Sequence, residues 1–85
     1  MAKRFPYEPV LSSKAAAFLV GLPKEKQRRL IRLLLQLADN PHQIGNYCGR
    51  DEIRDVQFIR IRDQVIAFWP DDAVKELRIV DIEEI

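Results

Sequence analysis

The sequence predicts one α+β domain, 1–85, with the element order β-α-α-β-β-β. Residues 24–40 have the periodicity of an amphipathic helix. Residues 54–82 contain three runs in which apolar and polar side chains alternate, and turn signals separate these runs. We therefore expect a twisted antiparallel sheet with an N-terminal helical hairpin packed on one of its faces.

The N-terminal segment predicts a short edge strand followed by a short helix. Residues 5–11 combine aromatic and aliphatic side chains with two prolines, which cannot donate to a ladder and restrict the strand to a sheet edge. Ser12 and Ser13 are suitable N-caps for the run KAAAFLVGL, and Gly21 is suited to end that helix.

The run KEKQRRLIRLLLQLADN predicts the longest helix. Pro23 stands at its start, where proline is favoured, and Asn40-Pro41 ends it because a residue before proline resists the helical region. The stripe expected to face the core consists of Leu30, Ile31, Leu34, Leu37 and Ala38. A second, polar stripe consists of Lys24, Arg28, Arg32 and Gln36.

The run HQIGNYCGRDE, which begins at His42, predicts a loop because it is rich in glycine and polar residues. Three strands are expected after it, at 54–62, 64–69 and 75–82. A tight connection joins the first two, and the run PDDA predicts a turn between the last two. These strands form the predicted meander.

The run FIRIRD predicts which side of the first meander strand faces the helices. Ile59 and Ile61 alternate with Arg60 and Arg62, so we expect the isoleucines to face the core. The two arginines would then lie about 7 Å apart on the open face of the sheet.

Charge is segregated along the chain although the net charge is only +1. Residues 24–32 contain five basic side chains and one acid, whereas residues 71–85 contain six acids and two basic side chains. Such segregation creates local fields that a near-zero total hides. The basic helix face is either a solvated surface or a contact surface for a charged partner.

Arginines of the predicted strands are the main candidates for binding RNA or another anion. They are Arg54, Arg60, Arg62 and Arg78. A guanidinium fork matches phosphate bidentately, but it matches carboxylates equally well. The anion is therefore RNA phosphate, a carboxylate of a partner protein, or a carboxylate on an adjacent strand; the last group comprises Asp55, Glu76 and Asp81.

Aromatic residues give a second indication of a binding surface. Phe68 and Trp69 are neighbours on a strand and point to opposite faces, so one enters the core and the other is expected beside Arg60 and Arg62. An aromatic ring beside arginines suits base stacking, and it equally suits a protein-binding hot spot. The expected partner-binding residues are Arg28, Arg32 and Trp69.

The predicted loop holds the few side chains that could take part in catalysis. Imidazole is a common general acid or base, but no partner for His42 is recognisable in the sequence, and a surface position is expected. Tyr47 could stack on a base or anchor the loop. Cys48 is expected to be a small, semi-buried residue, since no thiol-enzyme or zinc signature surrounds it. We assign no catalytic residue, metal ligand or cofactor.

The sequence predicts a cytoplasmic protein without a membrane span. The run MAKRFPYEPV lacks the apolar segment of a signal peptide, and Arg32 and Gln36 interrupt the longest hydrophobic block. A single cysteine also fits a reducing compartment.

The element order, together with the runs LSSKAAAFLVGLP, LADNP and IAFWPDDAVKELRIVDIEEI, resembles the RelE/ParE superfamily of toxins from bacterial type II toxin–antitoxin modules. The resemblance implies a toxin that is neutralised by a cognate antitoxin, whose disordered segment folds as it wraps the toxin. It implies action on translation or DNA topology when the toxin is free. RelE-like members cleave mRNA in the ribosome without a metal, and ParE-like members poison gyrase.

The catalytic positions of RelE-like chains are not matched here. Such chains often carry an arginine three residues before a tyrosine in the middle meander strand; with Phe68 at the tyrosine position, Val65 takes the place of the arginine. A basic residue and an aromatic acid or base usually follow the last strand, where this sequence has Glu83, Glu84 and Ile85. Three functions therefore remain open: a ribosome-dependent mRNA endonuclease, a toxin-like interaction module without nuclease activity, and a ParE-like gyrase inhibitor.

Overall fold

The computed structural model describes residues 7–43, 45, 47–50 and 54–85, with the backbone alone at Tyr47 and Arg50. Within these residues the elements are β1 (Glu8–Leu11), α1 (Ser13–Val20), α2 (Lys24–Asp39), β2 (Tyr47–Arg50), β3 (Asp55–Ile61), β4 (Gln64–Asp71) and β5 (Glu76–Glu84). The expected α+β class, helical hairpin and meander are confirmed.

The strands form a single mixed sheet in the order β1-β5-β4-β3-β2. The pairs β2–β3, β3–β4 and β4–β5 are antiparallel, whereas β1 runs parallel to β5. The expectation of an entirely antiparallel sheet is therefore wrong for β1. Parallel neighbours need a long crossover connection, and here the helical hairpin and the meander together provide it.

The strand β2 lies inside the stretch that was predicted to be a loop. It pairs with the first half of β3, with Cys48 opposite Gln57. The sequence pattern does not reveal this strand, because it contains Gly49 and glycine is depleted in strands. A Cβ at Gly49 would lie 2.7 Å from Cε1 of Phe58, so the glycine is needed for the phenylalanine ring to cross β2.

Both helices begin and end where the sequence predicts. The Ser12 hydroxyl accepts a hydrogen bond from the Ala15 amide at 3.1 Å and donates one to the Val80 carbonyl at 2.8 Å, which joins the start of α1 to β5. Gly21 caps α1, and α2 is flanked by Pro23 and Asn40. No helix among the described residues combines the length and the apolar character that a membrane crossing needs.

The core lies between the helices and one face of the sheet, as expected. The largest fully buried side chains are Phe68, Ile66, Leu77 and Ile79. The helices add Ala15, Leu30, Leu34, Leu37 and Ala38. The prediction for Ile31 is wrong, since this side chain is 45% exposed. One residue past Leu30 it is turned by about 100° around the helix, away from the sheet.

A β-bulge interrupts the pairing of β4 with β5. Phe68 is opposite Ile79, but Ala67 is opposite Asp81, so Val80 is an extra residue in β5. A bulge of this kind shifts the alternation of inward and outward side chains by one residue.

Two isoleucine variants test this assignment of the core. Ile66→Ala is expected to lower the free energy of unfolding by about 2–5 kcal/mol, because Ile66 is fully buried between paired strands. Ile31→Ala removes the same atoms from an exposed helix position, and we expect a change within about 0.5 kcal/mol. Urea unfolding followed by circular dichroism measures both. Equal losses for the two variants would contradict the assignment.

Candidate functional site

Three side chains of the open face, the side of the sheet opposite the helices, form a cluster that we call the open-face cluster: Arg54, Trp69 and Arg78. Trp69 is directly opposite Arg78 in the β4–β5 ladder, and Val10 of β1 continues the row. The Arg54 guanidinium lies 3.8 Å from the centroid of the Trp69 ring system. Together they line a shallow cavity of about 400 Å³. A cation–π contact of this kind contributes on the order of 0.5–1 kcal/mol near solvent.

Arg78 is held by carboxylates of its own hairpin. Its Nε lies 3.5 Å from Oδ2 of Asp71, and its Nη2 lies 3.0 Å from Oε1 of Glu76. Of the three anions that the sequence left open for the strand arginines, Arg78 therefore pairs with carboxylates of the sheet itself. Two nearby carboxylates offset its charge, which weakens the attraction of this part of the open face for phosphate.

The two arginines of FIRIRD belong to different elements, Arg60 to β3 and Arg62 to the turn that follows it. β3 ends at Ile61, which pairs with Gln64, so Arg62 is the first residue of a two-residue turn and has a φ of 58°. Arg60 is exposed on the open face, and its Nε donates to the Arg62 carbonyl at 3.3 Å. Arg62 is instead among the residues that line a cavity on the helix side. The prediction that both share the open face is wrong because the turn begins one residue earlier than expected, and a tight hairpin needs a residue with positive φ there.

Trp69 is also separated from Arg60. The row formed by Phe58, Ala67 and Asp81 lies between the row of Trp69 and the row of Arg60. The expected aromatic floor beside Arg60 and Arg62 is thus wrong, and the tryptophan stands beside Arg54 and Arg78. The expectation that one residue of the Phe68-Trp69 pair enters the core is confirmed, since Phe68 is fully buried.

Acidic side chains of β5 pair with the start of α1. Nζ of Lys14 lies 3.3 Å from Oδ2 of Asp81 and 4.0 Å from Oε2 of Glu83. The second oxygen of Asp81, Oδ1, is buried and has no hydrogen-bond donor within the described part of the chain. These acids share the open face with Arg60, so this surface carries charges of both signs.

A larger cavity, about 640 Å³, lies on the helix side between α2 and the β3–β4 hairpin, and we call it the α2 groove. Its basic residues are Lys26, Arg29, Arg32 and Arg62. Its aliphatic residues are Leu30, Leu33 and Ile61. Its remaining polar residues are Gln36, Asp63, Gln64 and Glu84. The sequence pattern missed this arrangement because it joins a helix to a turn more than 25 residues away.

The structure separates the two helix arginines that were expected to bind a partner. Arg32 lines the α2 groove. Arg28 is exposed and is not among the lining residues, because it precedes Arg29 by one position and is turned by about 100° around the helix.

A hydrogen-bonded trio of Tyr7, His42 and Asp72 links three distant segments. Oδ1 of Asp72, in the β4–β5 turn, accepts from the Tyr7 hydroxyl and from Nε2 of His42, the latter at 2.9 Å. The rings of Tyr7 and His42 also meet edge to face, with centroids 5.6 Å apart. His42 lies at the surface as expected, but it has a partner that no local sequence pattern reveals.

The trio shifts the protonation of two of its members. The bond from the Tyr7 hydroxyl, and then the bond from His42, lower the pKa of Asp72 below its ordinary value of 3.8. The bond to Asp72, followed by burial and by the aspartate charge, raises the pKa of Tyr7 above its ordinary value of 10.0. Folding therefore favours a charged Asp72 and a neutral Tyr7.

The remaining candidates of the predicted loop gain no catalytic role. Cys48 is exposed, with its Sγ 3.4 Å from Nε2 of Gln57, so the expectation of a semi-buried thiol is wrong. β2 is an edge strand, and the helices pack on β1 and β5 instead. The side chain of Tyr47 lies outside the described residues. Among the side chains that are described, no group of three His, Cys, Asp or Glu could hold a metal ion.

Solved structures with the same fold are RelE toxins and chains of RelE-type complexes. A chain of the toxin–antitoxin complex RelBE2 from Mycobacterium tuberculosis matches with a TM-score of 0.76 and 18% identity, over 94% of this chain and 99% of that one. A chain of the archaeal RelE–RelB complex from Pyrococcus horikoshii OT3 matches with a TM-score of 0.70 and 17% identity, over 93% and 94%. The isolated E. coli RelE toxin matches with a TM-score of 0.70 and 12% identity, over 92% and 83%.

The chain therefore has a RelE-like fold, which confirms the fold that the resemblance implied. No protein-family model matches the sequence, and no curated protein is significantly similar to it. At identities below 20% the shared feature is the backbone architecture, so the roles of individual residues rest on the contacts described above.

The trio predicts a pH-dependent contribution to stability. Because the pKa of Asp72 is lowered by folding, its stabilising effect is present above pH 3.8 and is lost as the pH falls through the folded-state pKa. Asp72→Asn is therefore expected to reduce the free energy of unfolding at pH 7, and its difference from the parent chain should shrink below pH 3.8. Urea unfolding at pH 7 and pH 3 measures this difference.

The control for this prediction is Asp63→Asn, which removes a carboxylate from the other hairpin turn. Within the described residues no side-chain hydrogen bond is made by Asp63. A deficit for Asp72→Asn that is equal at the two pH values would show that the trio does not stabilise through the charge of its aspartate.

Proposed function

We propose that this chain is the toxin of a type II toxin–antitoxin module, that a cognate antitoxin holds it inactive in the cytoplasm, and that it acts on translation when free. The observation that carries the proposal is the match of nearly the whole chain to RelE-type structures. Two of the matched chains come from toxin–antitoxin complexes. A partner of the same kind would cover surfaces that the isolated chain leaves open.

Contacts on the open face support RNA as the target of the free toxin. Arg54 stacks on Trp69, which gives an aromatic surface next to a cation, and Arg60 adds an exposed guanidinium farther along the same face. Base stacking combined with phosphate contacts is how many proteins bind single-stranded nucleic acid. mRNA on a ribosome offers both groups.

Other contacts on the same face favour the second candidate, a toxin-like module that binds without cleaving. Arg78 is paired with Asp71 and Glu76, and the carboxylates of Asp81 and Glu83 stand in the same sheet. A protein partner with basic side chains fits the acidic end of this surface, whereas RNA phosphate would be repelled by it.

Expression in bacteria tests the module itself. The chain expressed alone is expected to arrest growth, and co-expression with the product of its neighbouring gene should restore growth and yield a complex that purifies as one species. The destabilised variant Ile66→Ala serves as a control, since a toxin with a smaller folded fraction should arrest growth less. Harmless expression of the soluble parent chain, with no co-purifying partner, would refute the module.

Two neighbouring arginines test the role of the open face. If that face contacts mRNA, Arg60→Gln is expected to lower the rate of mRNA cleavage on translating ribosomes by about tenfold, since a hydrogen bond to a charged group contributes about 1.5–3 kcal/mol. Arg62→Gln removes the same charge from the helix side, and we expect little change. Primer extension on a translated message measures both. Absence of cleavage by the parent chain, together with growth arrest that a partner reverses, would favour the non-cleaving candidate.

A further inference from the structure

His42 and Asp72 form a pair that belongs neither to the open-face cluster nor to the α2 groove. The lowered pKa of Asp72 keeps its carboxylate charged at neutral pH, so Nε2 of His42 carries the ring proton and donates it over 2.9 Å. In the neutral ring Nδ1 then has no proton and can accept one. Within the described residues the imidazole makes no other hydrogen bond. An imidazole held by a carboxylate at one nitrogen and open at the other has the arrangement of a general base.

A buried tyrosine holds this pair in place. Tyr7 belongs to the hydrophobic core, and its hydroxyl donates to the same oxygen of Asp72 that binds His42. The ring of Tyr7 also meets the imidazole edge to face. The orientation of His42 is therefore set by a carboxylate that is itself anchored to the core. A base that is oriented by a third group is the pattern expected of catalytic acid–base groups.

A cation stands beside the pair. Nζ of Lys75 lies 5.4 Å from the centroid of the Tyr7 ring, so the ammonium and the imidazole lie against the same ring. After the hydrogen bonds from Tyr7 and His42, the charge of Lys75 also contributes to the lowered pKa of Asp72. Attack of a hydroxyl on a phosphodiester develops negative charge on the phosphoryl oxygens, which a nearby ammonium stabilises. A base and a cation at one place are the groups that such a reaction needs.

This site adjoins the surface for which contacts with RNA are proposed. Asp72 directly follows β4 and comes three residues after Trp69, which limits the distance between their Cα atoms to about 11 Å. The open-face carboxylates at this end of the sheet are paired with Arg78, which offsets part of their repulsion of phosphate. A single strand of RNA that contacts the open-face cluster can therefore reach His42 within a few nucleotides.

We propose that His42 is the general base with which the free toxin cleaves RNA, with Asp72 as its positioning residue and Lys75 as the cation that meets the phosphate. This inference rests on the proposed function, in which the free toxin acts on translation. Nδ1 of His42 takes the proton of a ribose 2′-hydroxyl, the 2′-oxygen bonds to the adjacent phosphorus, and the bond from phosphorus to the 5′-oxygen breaks. The 5′-oxygen takes a proton from water, and the imidazolium returns its proton to the hydroxide so formed. The products are a 2′,3′-cyclic phosphate and a 5′-hydroxyl.

The proposed base does not lie where RelE-like chains carry their catalytic groups. Those positions correspond here to Val65 and to residues 83–85, at the end of the sheet where β4 begins. His42 and Asp72 lie instead in the α2–β2 and β4–β5 connections, at the end of the sheet where β4 finishes. Loss of the usual groups at one end is thus compatible with chemistry at the other.

His42→Gln tests the base with the full chain. The glutamine amide can still donate to Asp72, but it cannot take up a proton near neutral pH. We expect the rate of mRNA cleavage on translating ribosomes to fall by about 100-fold or more, since a general base contributes about 10²–10⁴-fold. Primer extension on a translated message measures the rate, and circular dichroism checks the fold. Unchanged cleavage by the variant would overturn the proposal, and so would a parent chain that does not cleave.

The pH dependence of cleavage separates a chemical role of His42 from a structural one. The neutral imidazole is the base, and imidazole changes charge between about pH 5 and 8, so the ratio of the parent rate to the His42→Gln rate should rise with pH over that range. The charged or titratable groups that face the imidazole are Tyr7, Asp72 and Lys75. Side chains of these three types ordinarily titrate outside that range. A ratio that does not change with pH would overturn the proposal.

Two carboxylate variants test the positioning role of Asp72. In Asp72→Asn the new amide can donate to Nε2 of His42, which favours the tautomer whose proton is on Nδ1 and which cannot act as the base. We expect cleavage per folded molecule to fall at least about tenfold. Glu8→Gln removes a carboxylate from the same end of the sheet, and within the described residues Glu8 makes no side-chain hydrogen bond or ion pair. Its rate should stay within about twofold of the parent rate. Equal losses in the two variants would overturn the assignment of Asp72.

Growth and partner binding separate this inference from the proposed function. His42→Gln is expected to lose growth arrest and still to purify with the product of the neighbouring gene, because the fold is kept. Growth arrest equal to that of the parent chain, reversed by that partner, would overturn His42 as the base and leave the toxin–antitoxin function standing. If the parent chain has no such partner and yet cleaves a message in a reaction that His42→Gln abolishes, the proposed module fails and the assignment of His42 stands.

Discussion

The burial of one face of the β4–β5 pair beneath two helices is the interaction on which the rest of the structure depends. Phe68 and Ile79 face each other at the centre of this pair and are fully buried, and each contributes about 1.5–3 kcal/mol through removal of apolar surface from water. Because side chains alternate along a strand, fixing this pair inward fixes the next pair, Trp69 and Arg78, outward. The core thereby positions the open-face cluster.

The same sheet keeps two charged surfaces apart. On the open face, Arg78 and Asp81 have charged partners supplied by the chain itself, which offset part of the charge there. On the helix side, the groove cations lack such partners among the described residues.

The sequence predicts the elements that local rules control and misses those that depend on distant contacts. Helix α2 follows from its period and from Asn40-Pro41, and α1 from the Ser12 cap. β2 was missed because a four-residue edge strand with a glycine has no alternating pattern. The bond between His42 and Asp72 spans 30 residues, and only the folded chain brings these groups together. The pattern of FIRIRD extends the strand to Arg62, whereas the turn begins one residue earlier, at Arg62 itself.

The bulge at Val80 determines on which face of the sheet the Asp81 carboxylate lies. Strict alternation from Leu77 and Ile79 would direct Asp81 into the apolar layer, where an unpaired charge is very costly, and would direct Ile82 into water. The extra residue shifts the alternation of inward and outward side chains by one position, so Ile82 is buried and Asp81 reaches Lys14. In β5 the buried residues therefore fall at odd-numbered positions before the bulge, Leu77 and Ile79, and at an even-numbered position after it, Ile82. A single inserted or deleted residue here would exchange the inner and outer sides of everything between the bulge and the end of the strand.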